Sequence, residues 1–442
     1  MAKIRKPKFT RREFAKKAAC TIAGTSCLLF TGDAFAEQPI LRIAQWNHLL
    51  QEFDTWFDDY ARQWGRQNGI SVIVDHLPAS EIRARANAEV AAGKGHDLFM
   101  FPASPATYQR HVIDHRDIYS AVSRKHGNVV ELAHKSTFNP KSQKYFAFAE
   151  SFIPAPLLYL NDCWAAVGLP LGPSSYAEVL ATGARIRATR GLSCGLSLAP
   201  NLEGNVTLLG LLWSFGSSIV DSYGNAVLNS PRTVGALRLA KQLYQGTGSL
   251  DVLTSRTGDH EMLSGKISCT VDAISQLRIA EKQNPELAKR IMLSPPMHGL
   301  AARRLAAPRA ISCYVIWDFA KNKEPAQRFL IDMVDASATA FEKSRYCNFP
   351  CFPSTVPNLI KRLSEDPIAN PAFKYRELED ALHWTQNIGY PGYDTPVMGE
   401  IFDSSLIPKM FARVVKGEST PEAAARDADL EVRSLLRKWS AA

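Results

Sequence analysis

Three short motifs carry residue types that can do chemistry. Gly191-Leu192-Ser193-Cys194-Gly195 has the G-x-S-x-G spacing of a serine nucleophile. That chemistry needs the serine on a sharp turn from a strand into a helix. Here helical sequence precedes the motif and strand sequence follows it, so it reads as a helix-to-strand turn. His111-Val112-Ile113-Asp114-His115 has two-histidine zinc spacing with aspartate as the base. On a helix both imidazoles would share one face, as ligation requires. The run Asp114-His115-Arg116-Asp117 reads instead as a polar surface loop. Ser264-Gly265-Lys266 is the tail of a phosphate loop whose first glycine would fall at His260, so the cradle is missing. No catalytic residue, metal or cofactor is expected from these motifs.

What remains is aromatic and amide chemistry in expected loops: Trp46, Asn47, Asn201, Asn205, Trp213, Trp384, Tyr390 and Tyr393. Such sets suit sugar rings, whose apolar CH faces pack on aromatic faces while amides and carboxylates take the hydroxyls. Trp213 ends the run Leu208-Leu209-Gly210-Leu211-Leu212 and reads equally well as core.

The elements that must position these residues follow from periodicity. Residues 40–45 read as a strand ending at Trp46. Phe53, Phe57, Tyr60 and Trp64 recur at helical spacing. Residues 70–75 form a second strand and 81–92 a second helix, capped by Ser80 and stopped by Gly93. Residues 97–101 form a third strand. This β-α-β-α-β start predicts a parallel sheet flanked by helices, with ligands beyond the carboxyl ends of its strands. Further strands are expected at 145–150, 157–161, 267–271, 291–294 and 312–317. Helices are expected at 176–188, 205–215 and 231–245, and mostly helical chain from Glu324 onward.

The chain has 442 residues, 46% hydrophobic and 21% charged, with 52 Lys+Arg against 43 Asp+Glu. That is globular composition on a length suited to two lobes or more. The formal charge of +9 invites a nucleic-acid reading. The first residues answer it. Lys3, Arg5, Lys6 and Lys8 lead into Thr10-Arg11-Arg12-Glu13-Phe14, then an uncharged stretch over 18–30, then Ala34-Phe35-Ala36. Basic region, apolar region and small-residue cleavage site in this order describe a secretory signal, and the paired arginines resemble the twin-arginine export type. Eight Lys/Arg and two Asp/Glu fall in residues 1–36, so +6 of the +9 leaves with them and +3 stays. No nucleic-acid partner is expected. Six cysteines remain after Cys20 and Cys27. At most one bridge is expected, between Cys347 and Cys351.

Several passages then fall in a familiar order. Leu158-Tyr159-Leu160-Asn161, Val167-Gly168-Leu169-Pro170 and Ser174-Ser175-Tyr176-Ala177-Glu178 are followed by Met262-Leu263-Ser264-Gly265-Lys266-Ile267. Residues 311–323 and 326–330 come next, and Lys416-Gly417-Glu418-Ser419-Thr420-Pro421-Glu422-Ala423 closes the series. Together they resemble the extracellular solute-binding proteins of family 1, the maltose-binding-protein-like receptors of ABC importers. The resemblance spans nearly the whole chain after residue 36. It implies a two-lobed α/β periplasmic-binding-protein (type II) fold, with crossovers between lobes and a ligand cleft that closes by hinge motion. The implied division is a signal at 1–36, one lobe of 37–148 plus 311–358, and a second of 149–310 plus 359–442.

Carried over by position, the ligand-binding residues implied are Trp46, Asn47, Ser104, Glu150, Asn201, Glu203, Asp272, Tyr393 and Asp394. Trp46 and Tyr393 would stack on a ring, and Glu150 and Asp272 would accept hydroxyl protons. The function implied is a monomeric periplasmic receptor, exported by the twin-arginine machinery, that hands a small polar solute, a carbohydrate first, to an inner-membrane permease. A metal ion or polyamine on the same fold, and an exported hydrolase, are the alternatives.

Overall fold

The computed structural model describes residues 39–195, 197–247 and 261–441. The expected export signal, residues 1–36, lies outside the described residues, and so does His260. Among the described residues no helix is long and apolar enough to cross a membrane.

The start of the chain folds in the expected alternation: β1 (Ile40–Trp46), α1 (Gln51–Asn68), β2 (Ser71–Leu77), α2 (Ile82–Ala92) and β3 (Leu98–Phe101). β1 lies between β2 and β3 and pairs in parallel with both. In α1, Phe53, Phe57, Ala61 and Trp64 are buried about one turn apart, which sets that face on the sheet. Gly69 ends the helix at φ 66°, a left-handed conformation that costs an L side chain energy.

Two main sheets organise the rest. The first has six strands in the order Phe349–Pro350, Phe148–Ile153, Ala310–Ile316, β3, β1, β2. Ala310–Ile316 runs antiparallel to both of its neighbours. The second sheet has four strands in the order Ile291–Ser294, Leu157–Leu160, Ile267–Val271, Ser193–Gly195. The chain leaves the first sheet through residues 154–156, returns between Ser294 and Ala310, and leaves again after Pro350. Helices Leu406–Val415 and Pro421–Ala441 then pack against Pro231–Thr247.

The expected strand at 145–150 is split. Lys144–Tyr145 pairs with Phe138–Asn139 as a small hairpin, and Phe148–Ile153 is a separate strand buried at every position. A strand covered on both faces shows no polar alternation, so its sequence did not mark its limits. The first crossing therefore follows Ile153, later than the 148–150 expected, and the returning strand begins at Ala310.

Gly191 caps helix Tyr176–Arg190, and Ser193 opens the strand that follows, so G-x-S-x-G is a helix-to-strand turn. Cys347 and Cys351, the one pair expected to bridge, stand with the other four described cysteines as buried thiols. Burial pushes the Cys347 thiol up to about 12 and Cys351 well above its ordinary value, which suppresses thiolate chemistry.

Asp97 ties the first sheet's edge together. Its carboxylate accepts from the backbone N–H of Arg42 (3.0 Å), Lys321 (3.0 Å) and Asn322 (2.9 Å), and from Asn322 Nδ2 (3.1 Å). Asp97→Ala would leave three backbone donors without this acceptor. Denaturant unfolding should show a loss of about 3 kcal/mol or more. A loss below about 1 kcal/mol would mean that these donors find other partners.

Candidate functional site

The carboxyl ends of β1, β2 and β3 face a cavity of about 650 Å³. From the first sheet come Trp46 and Asn47 after β1, Ser80 and Arg83 after β2, and Pro102 and Ala103 after β3. The opposite wall is the start of helix Leu202–Ser214, with Asn201, Glu203 and Asn205, and behind it Arg309, Phe402 and Asp403. Parallel strands end together at one edge of their sheet, which is why three separate loops meet here.

Each lining group is held by neighbours. Asn47 N–H donates to Leu77 O at 2.9 Å, which fixes the turn after Trp46. Trp46 is itself 4% exposed. Asn201 is the N-cap of Leu202–Ser214 and its side chain accepts from Gly204 N–H at 3.0 Å. Asn205 Nδ2 donates to Phe402 O at 2.9 Å.

The charges come in matched pairs. Arg83 Nε lies 3.2 Å from Asp403 Oδ1, while its Nη2 donates to Ser104 O at 3.2 Å. The same guanidinium lies over Phe101 and Tyr108, 5.2 and 5.5 Å from their ring centres. Burial holds the Asp403 carboxyl above its ordinary value, against the pull of Arg83. Arg309 Nη2 donates to Glu203 Oε1 at 3.0 Å, and Nε donates to Asp272 Oδ1 at 3.2 Å. Asp272 Oδ1 also accepts from Ala273 N–H at 2.6 Å.

Of the nine residues expected at the site, the cavity brings four together: Trp46, Asn47, Asn201 and Glu203. Asp272 stands behind the wall, one hydrogen bond away through Arg309. The other four do not line this cavity. Ser104 is fully buried, its hydroxyl donating to Ser136 O at 2.7 Å. Glu150 lies inside its strand, where its carboxylate accepts from Ser151 Oγ at 2.6 Å, and burial pushes it up to about 7. Asp394 locks a loop by accepting from Asn387 Nδ2 and Gly389 N–H, both at 2.7 Å, and burial pushes it up to about 6. Tyr393 packs on His134 and Phe138 instead of on a ligand ring. Trp213 and Trp384 are core residues.

Sequence reasoning missed Arg83, Arg309, Phe402 and Asp403. Arg309 had one usable signal, its position directly before an apolar strand. Arg83, Phe402 and Asp403 had none, because they sit in ordinary amphipathic helix sequence. His115 also departs from expectation, since it is buried rather than on a surface loop. Its Nε2 accepts from Ile316 N–H at 3.0 Å while Nδ1 donates to Tyr145 O at 3.0 Å. Burial lowers it to about 4, so it serves as a neutral internal strut.

Known structures share this arrangement. An ABC transporter solute-binding protein of Thermotoga lettingae, bound with α-D-tagatose, superposes with a TM-score of 0.74 at 18% identity, covering 90% of this chain and 100% of that one. The fold is that of a two-lobed periplasmic solute-binding protein. The maltose-bound MalE3 of T. maritima gives a TM-score of 0.73 at 17% identity, covering 90% of this chain and 99% of that one. In sequence, a Brucella abortus (strain 2308) protein described in general terms as a binding protein is 22% identical over 328 residues. The match covers 71% of this chain and 76% of that protein. No family model matches the chain.

Glu150 supplies a pH test of these placements. Its carboxyl ionises near 4.5 when the chain is unfolded and near 7 when folded. The neutral form is therefore favoured in the native state. The stability linked to it is present below pH 4.5 and is lost as pH rises through 7. Between pH 5 and pH 8 the wild type should lose about 2–3 kcal/mol relative to Glu150→Gln. Denaturant unfolding of both proteins at the two pH values checks this, and a constant difference would place the carboxyl in water.

Proposed function

We propose that the protein is the substrate-binding component of an ABC importer, taking a neutral polar solute, a carbohydrate, into the cleft and handing it to an inner-membrane permease. The observation that carries this reading is the cleft's own charge balance beside an aromatic ring. Its charged lining residues, among those described, are Arg83, Arg309, Glu203 and Asp403. Each arginine already meets a carboxylate. A cationic ligand such as a metal ion or a polyamine finds no surplus negative charge, and an anion finds no unmatched arginine. A polyol instead finds oriented donors and acceptors on both walls, with the Trp46 ring for its CH face.

The two sheets define the lobes of this proposal. One carries residues 39–153 and 310–350, the other 157–309 and the helices after 359. Ligand contacts on both walls favour the closed form, so binding and closure are one equilibrium. Trp46, Asn47, Asn201 and Glu203 are the direct contacts in this reading, with Asp272 acting through Arg309. Export by the twin-arginine route to the periplasm and action as a monomer complete it. The resemblance of residues 10–16 to that signal supports the route. The sugars named for the solved neighbours support the ligand class.

The test is a thermal-shift panel of neutral mono- and disaccharides, polyamines and divalent metals on the protein lacking residues 1–36. A neutral sugar should raise the Tm, since a hundredfold excess over Kd stabilises by about 2.7 kcal/mol. Trp46→Ala should weaken that sugar by about tenfold or more, the scale of one lost ring contact. A shift produced by metals or polyamines alone would contradict the reading.

A further inference from the structure

A second cavity, of about 490 Å³, shares Leu49 with the cleft. Its walls come from the first turn of α1, from helix Ser275–Gln283, and from Arg345. Three of its lining residues are cations, Arg278, Lys282 and Arg345, against one acid, Glu52. No other cavity described above has such an excess.

Arg278 is the decisive residue. It is 1% exposed. Nε donates to Arg345 O at 2.9 Å, and Nη1 reaches Glu281 Oε2 at 3.0 Å and Asp366 Oδ2 at 2.5 Å. Its guanidinium carbon lies 3.7 Å from the centre of the Tyr375 ring. Its Nη2 is buried and has no hydrogen-bond partner among the described residues. A buried charged donor without an acceptor is costly, and such groups are rare in folded proteins. This one belongs to a residue that lines a cavity large enough for an acceptor.

Two further features point the same way. α1 begins after Leu50 with no side-chain cap, so the positive end of an 18-residue helix dipole faces the same space. Arg345 sits in a left-handed turn with Tyr346 (φ 51° and 66°), and its Nη1 donates to Arg278 O at 3.1 Å. That turn fixes its guanidinium beside that of Arg278. The opposing group is Glu52, which pairs with Lys282 at the exposed rim.

We propose that this cavity is an oxyanion site, taking a phosphate or carboxylate group on Arg278 Nη2 and Arg345, with Lys282 turning inward from Glu52. The group is either a free anion or the acidic end of a ligand whose remainder lies in the cleft past Leu49. α1 belongs to the first sheet's lobe and Ser275–Gln283 to the second's, so an anion here joins the two.

The proposal stands apart from the cleft's sugar, and inorganic phosphate tests it without one. At constant ionic strength, sodium phosphate should raise the Tm saturably where sodium chloride does not. Lys282→Gln/Arg345→Gln, which spares the buried Arg278, should weaken phosphate at least tenfold while keeping the wild-type Tm in chloride. That result assigns the site to the free ion. If phosphate behaves as chloride, a uronate-terminated oligosaccharide should bind at least tenfold tighter than its neutral counterpart, and the double variant should erase that preference. That outcome assigns the site to the ligand's acidic end. Phosphate and uronate both indifferent to the double variant would overturn the proposal, whether or not neutral sugars bind.

Discussion

The cleft depends on one buried cation. Arg309 is 7% exposed and stands at the entrance to the strand that re-enters the first sheet. Its N–H donates to Ile153 O at 2.8 Å, joining the returning strand to the departing one. Its guanidinium reaches the other way, to Glu203 and Asp272 of the second lobe's elements. The residue that closes the sheet at the crossing therefore also sets the charge of the far wall. Removing it would leave two carboxylates in a largely dry site without their cation, a far larger penalty than an exposed pair would incur.

The fold was legible wherever a face was half covered. β1, α1, β2, α2 and β3 each show a period that their burial explains, and the ranges expected differ from those found by a few residues. Legibility failed where burial is complete. Phe148–Ile153 and Ala310–Ile316 are covered along their whole length. With no polar alternation to mark their ends, the crossing was placed too early. Helix Leu202–Ser214 is buried from Gly204 to Ser214, so helical periodicity marked its end near Phe215 but not its start at Leu202.

The site was legible by topology and obscure by chemistry. Trp46 and Asn47 could be named because parallel strands end at a common edge. Asn201 and Glu203 could be named because a helix start lies opposite. Glu150 and Asp394 were named for the right kind of atom, but the fold spends them internally, on a serine pair within a strand and on a loop lock. Arginines that neutralise a cleft carry no local signal. Arg83 is one of many on a polar helix, and its pairing with Asp403 spans 320 positions of chain. Only the folded arrangement brings such pairs together.

The central claim is that a neutral sugar draws the two walls of this cleft together. Small-angle X-ray scattering during a titration with the sugar found by the panel measures that directly. The radius of gyration should fall as sugar is added and level off at the concentration that saturates binding. Saturated binding with an unchanged radius of gyration would contradict the account.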